Sequence, residues 1–414
     1  MKKIRYAEVG VGGRADSYYE ALVTRFSDIC EIVGFCDTNH RRMEYANNRI
    51  VSLGGNRVPT YDAVDFDRML KETEPDIVIV TTIDCLHREY IIRALEYGCD
   101  VITEKPMTID ADSCNAIMEA EKRTGRTVHV TFNCRFIPFA KRIKELLSEG
   151  IIGEIFNVDF EWLLDTSHGA DYFRRWHRKK ENSGGLLVHK ATHHFDLVNW
   201  WLDQEPDKIY ANGTRKCYGA TRKERGERCF TCEYKGKCEY AFDREEDARL
   251  KEMYFKAEGE DGYYRDRCIF SDEINIEDNM SVSVRYKDGA LLTYSLVAYS
   301  PYEGWKIAFT GSEGRLEAEV FSSGEHASDP NQYIRIYNRK GETITYQVPK
   351  ALGSHGGGDA RLLDMIIRGG LEDPLGQIAD TRAGTNSVMI GVCANMSIKD
   401  GQAHRVEDLI HWPE

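Results

Sequence analysis

A strand-like run at residues 4–9 passes directly into Gly10-Val11-Gly12-Gly13-Arg14-Ala15. A helical segment follows, then a second apolar run at residues 32–36 that ends on Asp37. Strand, glycine turn, helix, strand and acid, in that order, constrain the fold more than any other stretch. Gly10 permits a tight turn, Gly12 lets the backbone approach a pyrophosphate, and Ala15, in the third glycine slot, keeps helix close to strand. Gly13 and Arg14 complete the loop. A diphosphate would sit at the helix N-terminus, where free N–H groups and the dipole favour an anion. Asp37 stands where a carboxylate would accept the hydroxyls of an adenosine ribose and repel a 2′-phosphate, so NAD is expected over NADP. Arg41 and Arg42 lie close enough in sequence to turn toward such a phosphate instead. A glycine triplet alone is a weak signal. Framing by strand and helix, with the acid about 20 residues on, strengthens it against a tight turn in some other α/β domain.

The chain has 414 residues, too many for one ordinary domain, so two are expected. A net charge of −13 argues against a nucleic-acid or anionic-membrane partner. The first strand begins almost at once, which leaves no room for a signal peptide, and no stretch approaches the ~20 apolar residues of a membrane span. A cytoplasmic protein is expected, with its 12 cysteines as thiols or metal ligands and not as disulfides.

After Asp37 the pattern continues as helix 39–51, a strand near 58–61, helix 66–72 and a continuous apolar run at 76–80, the mark of a strand buried on both faces. The end of that run carries Thr82 and His87, a natural ligand-lining loop. Helix 88–97 leads to strand 100–103, which ends in Glu104-Lys105-Pro106; helix 111–124 and strand 128–132 complete the unit. Alternating strands and helices imply a parallel, doubly wound Rossmann sheet over residues 1–132 that binds ligand at the strand C-termini.

Gly10-x-Gly12-x-x-Ala15, Thr82…His87, Glu104-Lys105-Pro106 and a Gly-Gly…His…Asp segment near residue 190 together resemble the glucose–fructose oxidoreductase/inositol dehydrogenase (Gfo/Idh/MocA) family along nearly the whole chain. The resemblance implies an NAD-dependent oxidoreductase acting on a hydroxyl of a sugar, polyol or sugar derivative. In that family the lysine of Glu-Lys-Pro lies beside the nicotinamide and the substrate hydroxyl, and the Lys-Pro bond is often cis. Glu104 and Lys105 are thus expected at the cofactor. Without the other motifs, Lys105 would read as a solvated lysine before a helix.

Residues 133–414 form the expected substrate and dimerisation domain. A linker containing Arg135 leads to helix 139–149 and strand 155–164. Residues 165–182, with Arg174, Arg175, Trp176 and His177, show no obvious period and suit a substrate loop or an ordinary surface loop. Next comes a segment with His189, Lys190, His193, His194 and Asp196, expected to be helical. Residues four apart on a helix share a face, so His189 and His193 would point the same way. In the resembled family this helix carries an aspartate and, four residues later, a catalytic histidine. His193 matches the histidine, Asp196 matches too, and His189 replaces the aspartate. Lys105, His193 and His189 are therefore the expected catalytic residues, with Lys190, His194, Arg135, Trp176 and His355 expected at the substrate. The two histidines could instead bind a metal, although a third ligand is not evident, or simply be polar residues at a helix end.

Cys217-x11-Cys229-x2-Cys232-x5-Cys238 lies in a charged insertion at about residues 215–240. The spacing predicts a structural tetrathiolate zinc site; disulfides or free thiols are the alternative, and neither common ferredoxin spacing fits. Hairpin signals at Lys287-Asp288-Gly289, Gly311 to Gly314 and Lys340-Gly341 predict a large, mainly antiparallel sheet covered by helices on one face. In the resembled family the open face forms homodimers or homotetramers. His355-Gly356-Gly357-Gly358-Asp359 would line the pocket or let Asp359 cap a helix. A last helix at 381–398 and an edge strand or coil at 405–410 finish the chain. Two other functions fit the sequence: a glycoside hydrolase that uses bound NAD for transient oxidation and elimination without net redox, and a dinucleotide-sensing binding protein.

Overall fold

Short apolar strands alternating with helices close into a six-stranded parallel sheet at the start of the chain. Its strands are β1 (Ile4–Val9), β2 (Cys30–Asp37), β3 (Thr60–Asp62), β4 (Ile77–Val80), β5 (Asp100–Thr103) and β6 (Val128–Val130), in the order β3-β2-β1-β4-β5-β6. The computed structural model describes residues 2–243 and 247–413. Val78, Val80 and Val101 face a helical layer containing Met69, Ile91 and Ile117, whereas Ile79 and Ile102 face Tyr18, Leu22 and Met43 on the other side. Burial on both faces is the reason β4 is apolar without interruption. Gly10 has φ +88°, and a Cβ there would lie 2.5 Å from the Thr82 backbone nitrogen. The turn after β1 therefore passes directly against the end of β4, and only glycine fits.

The second sheet has nine strands: β7 (Ile155–Asp165), β8 (Pro206–Thr214), β9 (Asn279–Tyr286), β10 (Leu291–Ser300), β11 (Gly304–Gly311), β12 (Gly314–Phe321), β13 (Asn331–Asn338), β14 (Thr343–Pro349) and β15 (His404–Arg405). Their order is β14-β13-β12-β11-β7-β10-β9-β8-β15, and β7 runs parallel to β10 while the other neighbouring pairs are antiparallel. Alternation is strict in β9: Met280, Val282, Val284 and Tyr286 are buried, and Ser281, Ser283 and Arg285 point outward. The helix Thr381–Asp400 lies over β8 and against the helix Thr192–Leu202. A Cβ at Gly391 would come within 2.4 Å of the Leu187 carbonyl oxygen, so this long helix rests backbone to backbone on the turn that carries His189.

Three local expectations change. Residues 165–182 contain the helix Thr166–Arg174, a 3-10 turn Trp176–Arg178 and the helix Lys180–Ser183 in place of a loop. Each piece is too short to display a period, but the Asp165 carboxylate accepts from Ser167 N and His168 N at 3.0 Å, a capping signal present in the sequence. The expected single helix through His189 and His193 is two, Leu186–His189 and Thr192–Leu202, with Lys190 and Ala191 between them. The insertion spans everything between Thr214 and Asn279, well beyond its cysteines. Among the described residues, no helix is long and apolar enough to cross a membrane.

Candidate active site

Glu104-Lys105-Pro106 follows directly on the C-terminal end of β5, and the Lys105–Pro106 peptide is cis. His87 is fully buried under this turn: its Nδ1 lies 2.9 Å from Pro106 O and its Nε2 3.2 Å from Thr82 O. It braces the floor of the cleft and does not line it, contrary to the expectation that it binds cofactor. Lys105 reaches across to the other sheet's helices, its Nζ donating to His189 O at 3.1 Å. Burial pushes the Lys105 ammonium down to about 8, although the Asp84 and Glu104 carboxyls favour its charged form.

Asp84, in the turn after β4, carries no motif that singles it out. Its Oδ2 lies 2.5 Å from His189 Nδ1, and both residues are buried. Burial raises the Asp84 carboxyl well above its usual range, and burial together with Lys105 and His177 lowers the His189 imidazole well below its own. Both directions favour a neutral carboxyl–imidazole pair holding one proton. A carboxyl from the turn after β4 thus meets His189. Rings of Tyr172, Trp176 and His177 box His189 at 5.7, 5.4 and 4.2 Å.

His193 begins the next turn. It is buried, and its Nδ1 has no hydrogen-bond partner. Its ring meets Phe132 edge-on at 6.1 Å and lies 6.5 Å from that of His355. Burial, reinforced by Lys105 and Lys190, holds His193 well below the usual imidazole range, hence neutral at pH 7. Lys190 places its Nζ 5.2 Å over the Trp162 ring.

Two expected substrate residues are committed elsewhere. His194 is fully buried, stacked on Trp162 at 3.7 Å with its Nδ1 2.6 Å from Tyr294 OH. About 100° separates consecutive helix positions, which turns it into the core of the second sheet. Arg135 is buried and donates to both Asp196 oxygens, at 2.8 and 2.6 Å, and to Gly376 O at 2.9 Å. It clamps the helix Thr192–Leu202 to the turn Asn133–Phe136. Asp359 does not cap its helix, where Gly357 is the capping residue. Its carboxylate instead accepts from Arg14 Nη2 at 2.8 Å, Asn133 Nδ2 at 2.6 Å and His355 Nδ1 at 2.8 Å. Arg14 Nε lies 2.5 Å from Glu104 Oε1, which also accepts from Tyr18 OH at 2.6 Å. The Arg14 side chain is therefore held by two carboxylates and leaves only its backbone for the dinucleotide loop. Burial works against the Glu104 charge, but Arg14 and Tyr18 prevail and hold it below its usual range.

The glycine turn fits a dinucleotide. An added Cβ on Gly12 would have one neighbour within 4 Å, the Tyr254 hydroxyl at 3.4 Å. Gly13 N donates to that same hydroxyl at 2.7 Å, which places Tyr254 on a donor that a diphosphate oxygen would use. Asp37 Oδ2 accepts from Val11 N at 2.6 Å and Oδ1 from Asn39 N at 2.8 Å, fixing the carboxylate beside the loop.

The zinc expectation is not supported. Cys217 Sγ faces Tyr240 OH at 3.9 Å, Cys229 Sγ accepts from Arg174 at 3.4 Å, Cys238 Sγ accepts from Arg222 at 2.8 Å, and Cys232 packs against Gly226. Among the described residues, no group of three or more His, Cys, Asp or Glu side chains is placed to hold a metal, His189 and His193 included. In irregular backbone, Cys217, Cys229 and Cys238 each meet a different polar side chain.

Residues 4–132 match the family profile described as oxidoreductase family, NAD-binding Rossmann fold. Residues 144–407 match the one described as oxidoreductase family, C-terminal alpha/beta domain. The YteT protein of Bacillus subtilis (strain 168) is 39% identical over 410 residues, 94% of each chain. The D-glucoside 3-dehydrogenase of Escherichia coli (strain K12) is 28% identical over 199 residues, 48% of this chain and 54% of that one. The crystal structure of the WlbA dehydrogenase from Bordetella pertussis, in complex with NADH and UDP-GlcNAcA, has the same fold, with a TM-score of 0.65 at 18% identity over 98% of this chain and 99% of that one. Matched by both profiles along nearly its whole length, the chain belongs to the Gfo/Idh/MocA family and is an NAD(P)-dependent oxidoreductase.

Proposed function

We propose that the chain is an NAD-dependent dehydrogenase of a hydroxyl on a sugar, polyol or sugar derivative, with residues 1–132 holding cofactor and 133–414 holding substrate. The observation that carries this reading is the Lys105–His189 hydrogen bond of 3.1 Å, which joins the end of β5 to the broken helix bearing His193. His193 accepts the hydroxyl proton at Nε2, since Nδ1 is sealed inside the protein, and its neutral imidazole is the form a base requires. Lys105 orients the hydroxyl oxygen and offsets the negative charge that grows on it. Asp84 positions His189, and His189, Lys190, Trp176 and His355 contact the remaining substrate hydroxyls. The backbone of Gly10 to Ala15, with Asp37 and Thr82, holds the dinucleotide, whose nicotinamide, when bound, supplies the hydride acceptor.

The outward face of the second sheet carries Asp159, Glu161, Lys306, Arg315, Glu317 and Arg335, rows of both signs that support pairing with a second copy. Redox-neutral glycoside cleavage is not proposed, because the D-glucoside 3-dehydrogenase and inositol 2-dehydrogenase relatives are dehydrogenases by name. The test is a panel of sugars, polyols and glycosides incubated with NAD and the purified chain. Stoichiometric NADH is expected with at least one of them. Glycoside cleavage without NADH would replace this reading with the redox-neutral route.

A further inference from the structure

At the far end of the cleft, part of the insertion lies across the dinucleotide loop. Arg249 donates through Nη2 to Gly13 O and through Nε to Asp16, each at 2.7 Å, and Tyr254 takes the Gly13 N–H. Asn39 Nδ2 donates to Ala257 O at 3.0 Å. The strap then sets two acids against the helix that follows Asp37. Arg42 Nη2 lies 3.3 Å from Asp37 Oδ1 and is also paired with Asp261. Arg41 N donates to Glu260 Oε2 at 3.2 Å, and its Nε lies 3.4 Å from Oε1. Side-chain exposures of 10% for Arg42, 8% for Asp37 and 14% for Asp261 place the first group largely out of water.

We propose that Asp261 and Glu260 set the choice of dinucleotide, by occupying the two guanidinium groups that a 2′-phosphate would need and by adding two negative charges beside Asp37. A phosphate monoester near −2 is recognised best by a free, bidentate arginine fork. Here Arg42 Nη2 already faces two carboxylates, Asp37 and Asp261, and Arg41 Nε faces a third, Glu260. Three carboxylates against two guanidinium groups leave the region at −1 before any ligand arrives. The ribose hydroxyls of NAD need only an acceptor, which Asp37 still offers. The acids stand 219 residues from the arginines they neutralise, so nothing near Asp37 in the sequence announces them.

This inference rests on the cofactor reading above, and calorimetry of NADH and NADPH binding to the full chain separates the two. Wild type should prefer NADH. The double variant Asp261→Asn/Glu260→Gln should bind NADPH about tenfold more tightly or better, with NADH affinity held within about twofold. Asp261→Asn alone should carry the larger share, because its pair is the more buried. Glu260→Gln alone, in a more exposed pair, should still raise NADPH affinity about threefold. A folded double variant whose NADPH-to-NADH ratio stays within about twofold of wild type overturns the inference. Should that variant fail to fold, an unmoved ratio in Glu260→Gln overturns it equally. Wild type preferring NADPH sinks this inference and the preference for NAD but leaves the dinucleotide-dependent dehydrogenase standing, and wild type binding neither dinucleotide sinks the cofactor reading as well.

Discussion

Residues 183–202 and residues 215–240 both concentrate reactive side chains, yet they fold to opposite outcomes. In the first, backbone contacts and a buried ion pair fix the chain before any functional group is placed. Gly391 seats the long helix on Leu187, and Arg135 clamps Asp196. His189 and His193 are then carried to Lys105 and Asp84 by the scaffold. In the second, no long strand or helix holds the backbone, and Arg174, Arg222 and Tyr240 each draw off a different sulfur. Spacing along the chain becomes a constellation in space only where something other than the side chains themselves sets the geometry.

The comparison breaks most visibly at His193. His193→Ala should lower kcat by about 10²–10⁴-fold with NAD affinity unchanged. Its neighbour provides the contrast: His194→Ala should leave kcat per folded molecule nearly intact but cost roughly 2–4 kcal/mol of stability, because it empties a stacked core position. Equal loss of turnover in both variants would mean that the helix presents no distinct face to the cleft.

The pH profile tests the lysine. Burial holds Lys105 at about 8, so its charged form dominates below that pH. Above it, kcat/KM should fall by about tenfold per unit as the ammonium is lost. Lys105→Arg should carry that limb to higher pH. A profile flat to pH 10 would remove Lys105 from the chemistry.

Asp84→Asn, which can keep a hydrogen bond to His189 but cannot exchange a proton with it, should reduce kcat by about ten- to hundredfold. Asp84→Glu should recover part of that rate, and melting temperature should change little in either case. An unaffected rate would leave the 2.5 Å contact without a role in turnover.

The smallest effect belongs to the cysteine insertion. Dialysis against a strong chelator should shift the melting temperature by less than about 1 °C, because no metal-holding group is formed among the described residues. A large drop, with zinc found in the dialysate, would restore the metal that the cysteine spacing suggests.

Strand–glycine–helix–strand–acid, the doubly buried β4 and the alternation of the second sheet were legible in the sequence. Each depends on contacts between near neighbours or on a period that burial imposes on one element at a time. Motifs singled out Lys105 and His193. Tertiary structure alone decided which polar residues work together. Asp84 finds His189 across the cleft, Arg14 is taken by Glu104 and Asp359, and His194 is turned into the core while His193 is not. Asp261 reaches Arg42 from 219 residues away. The physical reason is range: periodicity reports which face of an element is buried, whereas a hydrogen bond or ion pair depends on a separation of about 3 Å that only the packed chain sets.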